Sequence, residues 1–256
     1  MNHSPARRLL LASVASLGLL AACGGSDDDS FDDRADIADP KLRFVHAVPG
    51  GPNVTLQRNG VNESGATDMP YKSASQYYDV STENYTYSLR TATGNVEVAS
   101  ANFSADRGNK YTLVALPAST GVELMIIGDP YNKSVTSDDA RVRVLNAAVN
   151  AQSFDVYLTP VAADIATATP QLGNIDFKEV QPESGDDSIE VEQGSYRLRL
   201  TVAGTKTVIF NAQVSVPEDG DWLLVVLPES ATTNHVRVLL VRSDDSSDPT
   251  DELVSE

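Results

Sequence analysis

The chain predicts an all-β protein: two tandem antiparallel β-sandwich domains of the immunoglobulin-like kind, following an amino-terminal signal segment and an acidic linker. Three observations carry this. Apolar residues recur at every second position between turn residues, the body of the chain repeats itself at an offset of 100 to 111 residues, and helical periodicity is nearly absent after residue 23.

The first element is the segment 1–22. Arg7 and Arg8 precede the apolar run Leu9 to Leu20, which ends in Leu20-Ala21-Ala22-Cys23. A run of twelve residues is too short for a helix that crosses a bilayer, which needs about twenty. A basic end, a short apolar segment and small residues before a cut make a secretory signal. The string resembles the bacterial lipoprotein signal, which implies cleavage before Cys23 and a lipid, diacylglycerol with a palmitate-type acyl chain, on its thiol. Cys23 is the only cysteine, so no intrachain disulfide forms and the mature body must hold together by packing. In the lipoproteins it resembles, aspartate after the cysteine marks retention in the inner membrane. Gly24 stands there instead, which implies a lipid-anchored protein of the cell envelope, at the outer membrane.

Charge marks the next boundaries. The formal net charge is −17. Residues 24–39 hold seven aspartates against Arg34, and residues 243–256 hold Asp244, Asp245, Asp248, Asp251, Glu252 and Glu256 without a basic residue. Such stretches bury too little apolar surface to offset their ordering entropy. Residues 23–40 therefore read as a lipidated cysteine on a flexible tether, and 243–256 as an acidic disordered tail. Neither run has the spacing or turn glycine of an EF-hand loop. The acidic excess argues against nucleic-acid binding, which needs clustered Lys and Arg.

The two sandwiches span 41–130 and 140–242, joined by a linker at 131–139. Arg43-Phe44-Val45-His46-Ala47 answers to Arg143-Val144-Leu145-Asn146-Ala147, Tyr85-Thr86-Tyr87-Ser88-Leu89 to Tyr196-Arg197-Leu198-Arg199-Leu200, and Tyr111 to Pro117 to Trp222 to Pro228. The change of offset places an insertion of about eleven residues in the second unit, within Val161 to Asp187. Alternation predicts strands near 42–48, 53–58, 76–80, 84–92, 95–103, 110–116 and 122–127 in the first unit. Tyr111 to Leu116 and Trp222 to Leu227 are apolar at both parities, so they read as central strands covered on both faces, ended by prolines that cannot donate to a ladder. Val161 to Ala168 is the best candidate for a short helical or irregular insertion.

Arg43-Phe44-Val45-His46-Ala47, followed by Asn53-Val54-Thr55-Leu56, resembles the opening motif of the bacterial domain of unknown function 4397. The second unit keeps Arg143-Val144-Leu145 and an Asp155-Val156 pair but has Asn146 in place of the histidine. The resemblance covers about residues 41–242 and implies two copies of an exported β-sandwich, without an activity.

Chemistry is sparse. His3 leaves with the signal, so His46 and His235 remain, too few with one acylated cysteine for a zinc site. No nucleophile elbow, phosphate loop or dinucleotide fingerprint appears. The sequence thus predicts no catalytic residue, no metal and no cofactor. His46 shares its parity with Leu42 and Phe44, which makes it a buried hydrogen-bonding group. Tyr71, Tyr77 and Tyr78 offer stacking area and hydroxyls. His46 and these three tyrosines are the candidate ligand contacts of a non-enzymatic binding or interaction module. The expected partners are the membrane, through the lipid, and an envelope protein or glycan; the alternatives are a structural spacer without a ligand and a carbohydrate-acting enzyme.

Overall fold

The computed structural model describes residues 38–131, 134, 136–243 and 249–256; the signal motif Leu20-Ala21-Ala22, Cys23 and most of the acidic linker lie outside the described residues. The first unit contains β1 (Lys41–His46), β2 (Val54–Arg58), β3 (Val61–Asn62), β4 (Tyr78–Asp79), β5 (Asn84–Thr91), β6 (Glu97–Ser104), β7 (Asn109–Pro117) and β8 (Val122–Pro130). They form two sheets, ordered β4-β1-β7-β8 and β3-β2-β5-β6. Leu42, Phe44, Leu113 and Ala115 of one sheet meet Val54, Leu56, Tyr87 and Leu89 of the other in a closed core. This is the all-β sandwich that the alternation predicts.

The second unit repeats the plan with β9 (Ala140–Asn146), β10 (Phe154–Pro160), β11 (Leu172–Ile175), β12 (Val180–Gln181), β13 (Ile189–Val191), β14 (Gly194–Val202), β15 (Val208–Val216), β16 (Asp221–Pro228), β17 (Val236–Arg242) and β18 (Thr250–Leu253). The sheets depart from a purely antiparallel plan at one place in each unit: β1 lies parallel to β7, and β9 parallel to β16. The chain leaves the sheet after β1, builds the opposite sheet, and re-enters from the same end, the long connection that a parallel pair requires.

The insertion divides in two. Val45 bridges Ala74 where Leu145 pairs Val180, and Leu42 pairs Tyr78 where Val142 pairs Ile189. The offset between units therefore grows from 100 at β9 to 106 at β12 and 111 at β13, so extra residues fall both before and after β12. Residues 161–168 are turns and irregular chain, not helix. Among the described residues no helix is long and apolar enough to cross a membrane.

The two units are not beads on a string. Val45, Ala47, Val114, Leu116 and Ile127 of the first pack against Leu145, Ala147, Leu223, Val225, Leu227, Leu239 and Val241 of the second in a third core. Alternation along β16 shows the division: Trp222, Leu224 and Val226 fill the sandwich, while Leu223, Val225 and Leu227 fill the contact between units. Four sheets thus stack with three apolar layers between them. That explains why β7 and β16 are apolar at both parities.

The same contact carries buried charge beside its apolar half. Arg43, Lys110, Arg141 and Arg143 are each at most 4% exposed. Lys110 reaches Asp221 at 3.4 Å, Arg141 reaches Asp129 at 2.5 Å and Arg143 the same carboxylate at 3.4 Å. Burial alone would raise the Asp221 carboxyl, but Lys110, Arg141 and Arg43 together hold it below its ordinary value. Arg143 also donates to the carbonyls of Pro182, Glu183 and Asp186, and Ser184 and Gly185 bond Gly128, so the inserted loop of the second unit seals onto the first. Lys110 and Asp221 occupy equivalent positions of the two repeats, and they bond each other, which relates the units by an approximate two-fold axis.

Two expected boundaries change. Tyr131, in the expected linker, is fully buried between Lys110 and Arg141, with their cationic groups 4.0 and 4.3 Å from its ring centre. The described part of the tail expected to be disordered from 243 supplies β18, antiparallel to β17, and Glu256 N–H then bonds Asn211 C=O at 2.8 Å on β15. A segment with little apolar surface gains its order here from backbone pairing and ion pairs, and it covers two sheet edges that would otherwise be open.

Candidate functional site

A cleft of about 640 Å³ opens at one end of the contact between units. Its walls come mostly from short loops: Pro49 after β1, Tyr71 and Lys72 before β4, Val149 and Asn150 after β9, and Glu229, Ser230, Ala231 and Thr233 after β16, with Pro228 at the end of β16 and Arg237 on β17. Loops at the ends of rigid sandwiches are where binding residues are commonly carried. The volume lies within the range of small-ligand pockets.

The floor is organised by His46. It is 1% exposed, its Nε2 lies 3.0 Å from Pro52 C=O, and its Nδ1 accepts from Val48 N–H at 3.3 Å. An accepting Nδ1 and a donating Nε2 make a neutral ring, and burial holds the imidazole below its ordinary value. Asn146 repeats the pattern in the second unit: its Oδ1 accepts from Ala148 N–H at 3.0 Å and its Nδ2 donates to Ile175 C=O at 3.1 Å. The loop passes close enough that a Cβ on Gly51 would stand 3.2 Å from both His46 Cε1 and Val48 C=O, a tight fit that favours glycine there. His46 in turn supports Tyr71 edge-on, with ring centres 6.2 Å apart.

The tyrosine candidates do not form one cluster. Tyr71 lines the cleft. Tyr77 lies under Arg43 at 4.6 Å in the charged half of the inter-unit contact, its hydroxyl pushed up to about 12 by burial. Tyr78 packs onto the first core, its hydroxyl raised by burial. His46 does not line the cleft; its ring meets the lining at Tyr71 and its carbonyl accepts Lys72 N–H.

The electrostatics of the cleft follow from broken symmetry. At the opposite end, Lys178 of the second unit meets Glu123 of the first at 2.7 Å. The repeat of Lys178 is Lys72, since both follow an aromatic residue and donate their N–H to the carbonyl of Asn146 and His46 respectively. The repeat of Glu123 is Arg237, each one residue past the partner of a strand-ending proline. Two cations therefore face each other, and Glu252 from β18, a strand without a counterpart among the described residues of the first unit, binds both: Lys72 at 2.7 Å and also Arg237. Glu229 pairs with Arg237 at 3.1 Å. Lys72 and Arg237 against Glu229 and Glu252 leave the local charge balanced.

Sequence reasoning missed a group on the rim. Ser230 Oγ lies 2.9 Å from His235 Nδ1, and His235 Nε2 lies 3.7 Å from Glu229. The only signal was the proximity of three residues within one hairpin loop. Their bonds tie that loop: Ser230 Oγ also accepts Thr232 N–H at 3.1 Å, and Glu229 is held by Arg237. Among the described residues no cluster of three or more His, Cys, Asp or Glu is arranged to hold a metal ion.

Residues 40–157 match the model of a family described as Domain of unknown function (DUF4397). The matched span covers the first unit and runs on through β9 into β10, so it contains both strands that carry the Arg-apolar-apolar opening. No curated protein matches the chain.

Proposed function

We propose that this protein is a cell-envelope lipoprotein, anchored through Cys23, that acts as a non-enzymatic binding module and presents the inter-unit cleft to its partner. In this reading the second unit is a second copy of the same family domain, and the acidic stretch that follows Cys23 is the tether. The observation that carries the binding role is the cleft itself: it is built by loops of both units, it holds an aromatic side chain, and it lies at the end where the ion pairs depart from the repeat. A spacer has no need of such a recess. The non-enzymatic reading is supported by the geometry around His235: Glu229, held by Arg237, stands 3.7 Å from its Nε2, too far to orient the imidazole, and Ser230 Oγ, although 2.9 Å from Nδ1, also accepts Thr232 N–H in a loop tie.

Crosslinking in intact cells tests the role. Val149 is 54% exposed on the rim, so Val149→Trp should fill the cleft without disturbing the fold and should abolish the captured species. Capture unchanged by this variant would move the contact surface elsewhere. For the anchor, Cys23→Ala should release the protein from the membrane fraction or leave an uncleaved precursor, and normal processing with unchanged fractionation would count against lipidation. Purified protein should hydrolyse no p-nitrophenyl ester in a manner that Ser230→Ala abolishes.

A further inference from the structure

We infer that the cleft takes a neutral, hydroxyl-rich ligand, a sugar unit of an uncharged glycan, with Tyr71 as its platform. This deepens the binding role proposed above and rests on it. Four features point to that chemistry. First, the cations lining the recess are already paired: Lys72 with Glu252 of β18, and Arg237 with both Glu252 and Glu229. An anionic ligand must compete with those carboxylates and approach a chain of net charge −17, and a cationic one must displace Lys72 and Arg237. Second, the lining alternates between apolar surface from Pro49, Val149 and Pro228 and polar groups from Asn150, Ser230 and Thr233. A pyranose presents the same mixture, C–H faces and a rim of hydroxyls.

Third, Tyr71 Oη, Asn150 Oδ1 and Arg237 Nε have no hydrogen-bond partner. All three belong to residues of this one cleft. Two are donors and one is an acceptor, and adjacent hydroxyls supply both functions. Each atom is covered in the free protein, so engaging it requires its side chain to turn toward the recess. Fourth, among the described residues the large apolar side chains exposed outside the cleft are valines distributed along the chain, at 61, 96, 161, 208 and 254. A protein partner of standard size needs about 800 Å² of complementary surface on each side. A concave recess of this volume suits one or two sugar rings better.

The experiment uses the mature chain from residue 24 on an array of neutral oligosaccharides of glucose, galactose, mannose and N-acetylglucosamine, followed by calorimetric titration of maltotriose, cellotriose and tri-N-acetylchitotriose. At least one neutral glycan should bind, with trigalacturonate as the acidic control binding more weakly. Tyr71→Ala should weaken that binding at least about tenfold and Tyr71→Phe less, since the ring is retained. Val149→Trp should abolish it while the circular dichroism spectrum and melting temperature stay unchanged. Binding of the acidic trimer in preference, or neutral binding that survives both Tyr71→Ala and Val149→Trp, overturns the assignment. Silence on the array while Val149→Trp still abolishes crosslinked capture in cells also overturns it, leaving a protein partner at the cleft; loss of both results removes the cleft from function altogether.

Discussion

His46 and Asn146 show how one position can be filled by two side chains with the same bonding pattern. Each accepts an N–H two residues ahead and donates to a more distant carbonyl, His46 to Pro52 in the following loop and Asn146 to Ile175 at the end of β11, which pins the strand end to its surroundings. His46→Asn should therefore cost less stability than His46→Leu, which leaves the buried Val48 N–H without its acceptor, at about 1–3 kcal/mol, and also removes the donor to the more exposed Pro52 C=O. Urea denaturation of both variants checks the order. The pH dependence has a definite sign. The folded imidazole sits below its ordinary value of 6.5, so above that pH both states are neutral and His46 contributes no slope. Below it the unfolded chain takes up the proton first, and stability falls with falling pH; His46→Asn should flatten that fall between pH 6.5 and 5. The bonding role of His46 was legible in the sequence because its repeat is an asparagine. The separation of Tyr71, Tyr77 and Tyr78 was not, because β4 is two residues long and sets no parity for what precedes it.

At the level of elements, the doubly apolar strands were legible and their covering was not. Leu113 and Val114, or Leu224 and Val225, announce two buried faces, yet nothing local says that the second face of each meets the other unit. β18 was illegible for a different reason. Thr250–Leu253 carries one apolar residue in four, and what orders it is non-local: the ladder to β17 and the two cations that Glu252 spans. Glu252→Lys should put three cations together at the cleft and lower stability by about 1–2 kcal/mol, more than Glu252→Gln, whose loss of partly exposed ion pairs should be about 1 kcal/mol or less. Chain termination after Ser243 should go further. It uncovers the β17 edge, so light scattering should show concentration-dependent association that the full chain lacks.

For the whole molecule, the four-layer stack makes one folding unit of two similar parts. An apolar layer and a set of buried ion pairs join them, and removing one partner of a buried pair is expensive because the other charge remains without solvent. Calorimetry should therefore show one transition for the described body, not two. Asp129→Asn tests the coupling directly. Asp129 accepts from Arg141 and Ser188 of the second unit and lies 3.4 Å from Arg143, although its own strand belongs to the first. Its neutralisation should cost about 3 kcal/mol and shift the melting of both units together. Units that merely touch would respond otherwise: the first would melt early and the second would keep its own transition. Asp221 adds a pH signature to the same joint. Its folded carboxyl lies below the ordinary 3.8, so its contribution is fully present above that value and is lost as pH falls through the lower folded one. Acid unfolding of the body should then show two separable slopes, an early one below pH 6.5 that His46→Asn removes and a late one below pH 3.8 that Asp221→Asn removes, the second at the expense of the whole stack because Lys110 and Arg141 lose their shared counter-charge.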